Sequence, residues 1–350
     1  MLPRLNDIGL EINPSKSEII NINSTTFHRD IEAIEQLLPG VRVTAPKDLV
    51  ILGSPIDAAA IKEHINAQTN TFLLMIDRLS QIDPHPALYL LRNCFSLPRL
   101  LYLLRSSPSY NLQDQLTVFD NVMKEGSERI CNVAFDNTGW KQATLPISLG
   151  GIGLTAASDI AFSAYASSMH ASQSLTTGIL SHFPESSVDQ SLSQMIQAWS
   201  GLGFLVVPEE SRHLQKSWSD IYFKAKAEGL KDGLNQHRLA CLSTASQPHS
   251  GDWLKAIPVA SLGTALDGES VRVGIAVRLG LRICERHTCR CGVLIDEFGL
   301  HPLSCRLSAG RIPRHSALND VIKRTLDSAG LHSILEPIGL DRGDGRDQMG

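Results

Sequence analysis

The chain has 350 residues, 43% of them hydrophobic and 19% charged, which is enough for two or three packed units and unlike a disordered tail. Its formal charge of −4 excludes a protein that is basic throughout, yet between Arg272 and Arg324 ten Lys/Arg stand against four Asp/Glu, a local +6 that leaves −10 on the remainder. A cationic segment in an acidic protein points to a localised polyanion contact, with a merely solvated charged face as the competing reading.

The elements follow in chain order. In residues 1–56, SEIININ reads as a strand, HRDIEAIEQLLPG as a helix with a Pro-Gly stop, and VRVT and DLVILG as short strands. From Asp57 the helical period takes over, with Ile61, Ile65, Phe72, Met75, Ile76 and Leu79 forming one apolar stripe. Further helices are expected at 85–105, 111–134, 156–176, 188–200 and 212–245, separated by SSPS, the Gly-rich SLGGIGL and HFPESS. QPHSGDWL marks a boundary near 246, and RHSALNDVIKRTLDSAG reads as a final helix before the turn-rich, charged tail DRGDGRDQMG, which is expected to fray. The fold class is therefore α+β, mainly α-helical, with its β elements short and N-terminal.

Seven cysteines do not suggest a disulfide framework: four fall between Cys284 and Cys305, and Cys94, Cys131 and Cys241 are scattered in apolar contexts. That usage suits a reducing, intracellular compartment, nucleus or cytoplasm. The opening MLPRLNDIGLEINPSKSE lacks the apolar core of a leader, and ALYLLRNCFSLPRLLYLL is interrupted by Arg92, Asn93, Pro98 and Arg99, so no membrane partner is expected.

The strongest chemical constellation is HTCRCGVLIDEFGLHPLSC, in which Cys289, Cys291, His301 and Cys305 follow the pattern Cys, one residue, Cys, nine residues, His, three residues, Cys. Three thiolates and an imidazole suit a closed, structural Zn2+ site, and His301 and Cys305 stand one helical turn apart. The Cys-x-Cys spacing is shorter than usual, so Cys284 or His287 remains open as a substitute ligand, and a cluster of free thiols is the plainer alternative. Around the cluster lie Arg286, Arg290, Arg306, Arg311, Arg314, His315, Lys323 and Arg324, which suit backbone phosphates of RNA or DNA. Only Phe298 accompanies them, which gives little support for base stacking. Gly150, Gly151 and Gly153 lack the Lys-Ser/Thr of a phosphate loop and read as a turn before a helix; Asp83–Pro86 reads as a helix start, and His170 as a helical residue without a catalytic partner.

IGLEINPSKSEII followed by VILGSPI resembles the end of the reverse transcriptase palm in non-LTR retrotransposon polyproteins, where a Leu-Gly turn forms the primer grip. LRNCFSLPRLLYLLR resembles that family's thumb, LPISLGGIGL the segment after it, and HSGDWLKAIP with VRVGIAVRLGLRIC the linker before a zinc knuckle. RHSALNDVIKRTLDSAG and EPIGLDRGDGR resemble the start of its restriction-like endonuclease. The resemblance implies a palm remnant at 1–56, a helical thumb at 57–145, a helical linker at 146–245, linker end and zinc knuckle at 246–310, and the start of an endonuclease-like domain at 311–350. It also implies a parent RNA-directed DNA polymerase that uses Mg2+, with the missing polymerase and endonuclease portions as partners.

The family's paired carboxylates precede the residue matched by Lys16, whereas only Asp7 and Glu11 precede it here, outside any Tyr/Phe-x-Asp-Asp context. Two-metal polymerisation requires that pair. The expectation is a nucleic-acid-binding fragment with no catalytic residues of its own; the alternative is a zinc-dependent interaction or scaffold protein without nucleic-acid binding. Primer extension by this chain alone, with Mg2+ or Mn2+, should stay at background, and template-dependent synthesis would refute the expectation.

Overall fold

The computed structural model describes residues 9, 11–21, 27–179, 186–204, 206–308 and 311–335, with backbone alone at 27–30, 186–191, 311, 312 and 314. It is mainly helical with a few short strands, the mainly-α α+β class read from the sequence. The chain divides into two compact units, residues 1–281 and 282–350.

The first unit opens with strand β1 (Glu18–Ile20), helix α1 (Phe27–Leu37) and strand β2 (Arg42–Thr44), which pairs parallel to β1 with Glu18 opposite Arg42. Strands β3 (Val50–Ile51) and β4 (Ser54–Pro55) form a hairpin around Leu52–Gly53. Both turn residues have positive φ, 51° and 84°, the backbone of the two-residue turn that matches strand twist. DLVILG is thus one strand and the turn, not one continuous strand.

Helix α2 (Ala58–Leu79) starts where Asp57 accepts the amides of Ala59 and Ala60, and it buries Ile61, Ile65, Phe72, Ile76 and Leu79 as its period predicts. The expected helix at 85–105 is two: α3 (Pro84–Leu90), continued by a wider π turn at Leu91–Phe95, and α4 (Leu97–Ser106). Ser96 leaves helical geometry, and Pro98, which has no amide to donate, occupies the first turn of α4. Next come α5 (Gln113–Cys131), α6 (Asn137–Ala143), α7 (Ala157–Ile179), α8 (Ser186–Gly201), α9 (Gln215–Lys231), α10 (Gln236–Ala245), α11 (Asp252–Lys255) and α12 (Gly268–Leu279). The expected helix at 212–245 breaks between Lys231 and Gln236, where the Asn235 side chain caps α10 by accepting the Arg238 amide at 2.9 Å.

At the centre lies α7, against which α4, α5, α8 and α9 pack. Its first three turns are built from Ala, Ser and a few larger side chains, and Ala157, Ile160, Ala161, Phe162, Ala164 and Ala166 are all buried. A helix buried on every side cannot be amphipathic, and small residues let its neighbours approach closely. Phe162 stacks on Trp199 at 5.0 Å between ring centroids, and Trp199 meets Trp218 edge-on at 5.3 Å. The two indole N–H groups donate to Val206 O and Arg212 O. Among the described residues no helix is long and apolar enough to cross a membrane.

Residues 142–153 turn tightly before α7. The buried Arg278 guanidinium donates there to Gly151 O (2.9 Å) and Ile147 O (2.8 Å), and beyond it to Ala245 O (2.9 Å) and Ser250 O (3.2 Å). A Cβ on Gly151 would stand 1.9 Å from Leu145 O, so only glycine fits. Arg278→Ala should therefore cost about 3 kcal/mol or more by orphaning buried carbonyls. Gly151→Ala should be at least as damaging, whereas at Gly178, where a Cβ would meet nothing, Ala should be neutral or gain up to about 1 kcal/mol. Urea titration reads all three, and a benign Gly151→Ala would contradict the packing.

His85 is buried and its Nδ1 accepts the Leu266 amide at 3.0 Å, which requires a neutral ring. Burial lowers its pKa, opposed by a backbone hydrogen bond at Trp253 and aided by the charge of Arg92. Below about pH 6.5 the unfolded chain takes up a proton that folded His85 resists, so its contribution is full above that pH and lost as pH falls towards the lower folded value. His85→Gln should flatten the stability profile between pH 7 and 5; an unchanged slope would remove His85 as the cause.

Candidate metal centre

The described residues of the second unit bury little. Ile295 and Cys305 are its buried apolar side chains among the described residues, while Val293, Leu294, Leu303 and Leu307 are exposed. A unit without a sizeable core needs another source of folding energy, and a bound metal is one.

Strands β5 (His287–Thr288) and β6 (Leu294–Ile295) pair antiparallel, His287 opposite Ile295 and Thr288 opposite Leu294. The loop between them carries Cys289 and Cys291. It closes by Cys289 N–H to Val293 O (2.9 Å) and Gly292 N–H to Cys289 O (2.9 Å), with Gly292 at φ 87°, a conformation that costs a residue with a Cβ. A second turn follows, where Asp296 Oδ1 accepts the amides of Phe298 and Gly299 at 3.2 and 3.1 Å. The single turn α13 (His301–Ser304) then places His301 below Cys305, whose amide donates to His301 O at 3.0 Å. Helix α14 (Arg311–Ser328) is the last helix of the unit among the described residues.

These two local folds bring one ligand atom from each of Cys289, Cys291, His301 and Cys305 within 4.8 Å of one another, a group that could hold a metal ion. Cys289 Sγ is 3.7 Å from Cys305 Sγ, and Cys291 Sγ is 3.1 Å from His301 Nε2. Cys284 and His287, the alternatives left open by the spacing, point elsewhere: Cys284 Sγ donates to Asp296 O (3.4 Å), and His287 Nδ1 lies 2.8 Å from Glu285 O. The Cys289 thiol is lowered to about 6, first by the backbone N–H of Cys291 and then by the side chains of Cys291, His301 and Cys305. Desolvation raises that of Cys305. One sulfur is thus already a thiolate near neutrality, as a metal ligand must be.

The cationic residues divide. Arg290 and Arg306 are exposed and, among the described residues, have no ion-pair partner. Arg286 instead donates to both Glu297 oxygens (2.6 and 3.2 Å) and holds that carboxyl down to about 2. Lys323 pairs with Asp327 at 2.6 Å, and His315 Nδ1 faces the Asn319 amide at 3.2 Å. The side chains of Arg311 and Arg314, two of the expected phosphate contacts, lie outside the described residues.

In the first unit, Asp159, Tyr222, Lys226 and Thr144 also converge, with Tyr222 Oη donating to Asp159 Oδ1 at 2.6 Å and Lys226 Nζ to Asp159 Oδ2 and Thr144 Oγ1. No motif announces this group, because its hydrogen-bonded partners lie 63 to 82 residues apart. Comparison of the chain with protein-family models, curated proteins and solved structures finds no match.

In metal-free protein at pH 7, Cys289 should react with iodoacetamide well before Cys131, whose burial pushes its thiol up to about 12. Peptide mapping reads the order. Added Zn2+ should protect Cys289, Cys291 and Cys305 together, and protection of none of them would argue against the centre.

Proposed function

We propose that the chain is a nucleic-acid-binding piece of a non-LTR retrotransposon reverse transcriptase protein, in which a structural zinc ion fixes a small cationic surface. The observation that carries this reading is the four-ligand cluster with Arg290 between two ligands and Arg306 directly after the fourth. Anchoring the ligands anchors the backbone of both arginines. Two exposed guanidinium groups then stand on one rigid unit, suited to bidentate contact with phosphate.

Zinc is favoured by the donor set and by distance. A zinc–sulfur bond of about 2.3 Å implies a tetrahedron edge of about 3.8 Å, and the Cys289–Cys305 separation is 3.7 Å. With four protein ligands no position stays open for an activated water, so the ion stabilises and does not hydrolyse. The Leu52–Gly53 turn and the helices after it support the resemblance to a primer grip and thumb. On this reading the partners are RNA or DNA and the polymerase and endonuclease portions of the parent protein, and Mg2+ belongs to the intact polymerase.

A second reading, a zinc-dependent scaffold without nucleic-acid binding, is favoured by the pairing of Arg286 with Glu297 and of Lys323 with Asp327, which removes two cations from the surface. Salt dependence separates the two. Purified protein should contain one zinc per chain, lost in Cys305→Ser. Affinity for a duplex or an RNA should fall steeply with salt, and each arginine reversed to Glu in an R290E/R306E variant should lower the slope by about 0.7 to 0.9. The loss should be alike for all sequences, because phosphate contacts position without specifying. Zinc-loaded protein that binds no nucleic acid, or binds without salt dependence, would favour the scaffold.

A further inference from the structure

A cavity of about 460 Å³ opens in the first unit at α6, α7 and α9, lined by Thr138, Lys141, Asp159, Tyr222, Lys226 and Leu230. Gly229 and Gly233 complete its wall, and a Cβ on either would meet nothing, so no side chain from those positions fills the space. Asp159 is buried, and both its oxygens are occupied, one by the Tyr222 hydroxyl at 2.6 Å and the other by the Lys226 ammonium. Lys226 also donates to Thr144 Oγ1 at 2.9 Å. An ammonium has three donors, and the third remains for an occupant of the cavity. Desolvation and the Asp159 charge raise the Tyr222 pKa, so the phenol stays protonated and keeps donating to the carboxylate.

Lys141 is the second cation. It is exposed and lines the same cavity, and its ammonium has no ion-pair or hydrogen-bond partner among the described residues, although its backbone carbonyl accepts the Thr144 hydroxyl at 3.0 Å. The lining therefore presents two ammonium groups and the Thr138 hydroxyl against a single carboxylate already satisfied twice. A buried Asp159–Lys226 pair accounts for the docking of α9 on α7, but not for the open volume beside it or for an unpaired lysine on its wall. Donors converging from several directions suit an oxyanion with several acceptor oxygens.

We propose that this cavity binds a phosphate group, either of a free nucleotide or of a nucleic-acid backbone, with Lys141 and the third N–H of Lys226 as its donors and Asp159 and Tyr222 as the residues that position Lys226. The site stands on its own geometry and does not depend on the zinc reading.

Isothermal titration of the full chain with adenosine monophosphate and with a short single-stranded oligonucleotide tests it, alongside ³¹P line broadening of the mononucleotide. Wild type should bind at least one probe. Lys141→Ala should weaken that binding roughly tenfold or more, the worth of one charge-assisted hydrogen bond. The Lys141 ammonium has no partner to lose, so the melting temperature should not change, and Lys62→Ala, at an exposed lysine of α2 outside the cavity lining, should leave affinity untouched. Sensitivity of the mononucleotide alone assigns a free nucleotide; sensitivity of the oligonucleotide assigns the backbone. R290E/R306E should not alter mononucleotide binding, which keeps failure here distinct from failure of the zinc-anchored surface. No binding of either probe at millimolar concentration, or equal affinity in wild type and Lys141→Ala, overturns the proposal.

Discussion

A guanidinium group buried without a carboxylate partner must be solvated by the protein itself, and the helical unit is organised around one such group. Arg278 spends its donors on the carbonyls of Gly151, Ile147, Ala245 and Ser250, which belong to the turn before α7, the end of α10 and the turn before α11. Gln142 reinforces the junction by donating to both Gly150 O and Arg278 O at 3.1 Å. Arg92 reaches Leu254 O from the π turn. Desolvation lowers the pKa of both arginines, yet a guanidinium keeps its charge in a protein, so the carbonyl cage must hold for the charge to stay buried. Such a cage is directional where hydrophobic contact is not. It sets how α12, α10 and the turn before α7 meet.

Much the same logic holds at the start of α7. Asp120, buried on α5, accepts the amides of Ala157 and Ser158 and the Ser158 hydroxyl, capping the central helix from another element. Burial pushes its carboxyl up to about 6 despite those bonds, so the cap trades some stability above its ordinary titration range for a defined helix start. The Asp159 group, in the first turn of the same helix, locks α9 against it. Buried polar groups thus define the registry of a core whose central helix, rich in small alanine and serine side chains, would tolerate sliding.

The second unit follows a different rule. Few apolar side chains are buried among its described residues, and two local turns bring Cys289, Cys291, His301 and Cys305 together. The same economy exposes Arg290 and Arg306 beside the ligands. The helical unit is thus held by buried polar networks, whereas the second unit gathers four residues that could hold a metal ion.

From its sequence alone, the chain reveals the features that depend on short range. The stripe of α2 appears because one face of a helix repeats every three or four residues, and Ile61, Ile65, Phe72, Ile76 and Leu79 are all buried. The candidate metal group was legible because its four residues lie within a short segment, so spacing and geometry are nearly the same information. The breaks at Ser96 and after Lys231 escape the sequence reading even though Pro98 and the Asp-Gly pair at 232–233 lie in view, because apolar periodicity on either side masks them. The choice of Cys289, Cys291, His301 and Cys305 over Cys284 and His287 waited on the direction each side chain takes from its turn. Only the tertiary structure could show that Arg278 is a buried hub and not one more cation of a basic segment, since its partners stand 28 to 131 residues away. Side-chain charge is written in the sequence, but whether it faces water, a carboxylate or a ring of carbonyls is decided by which distant backbone the fold brings beside it.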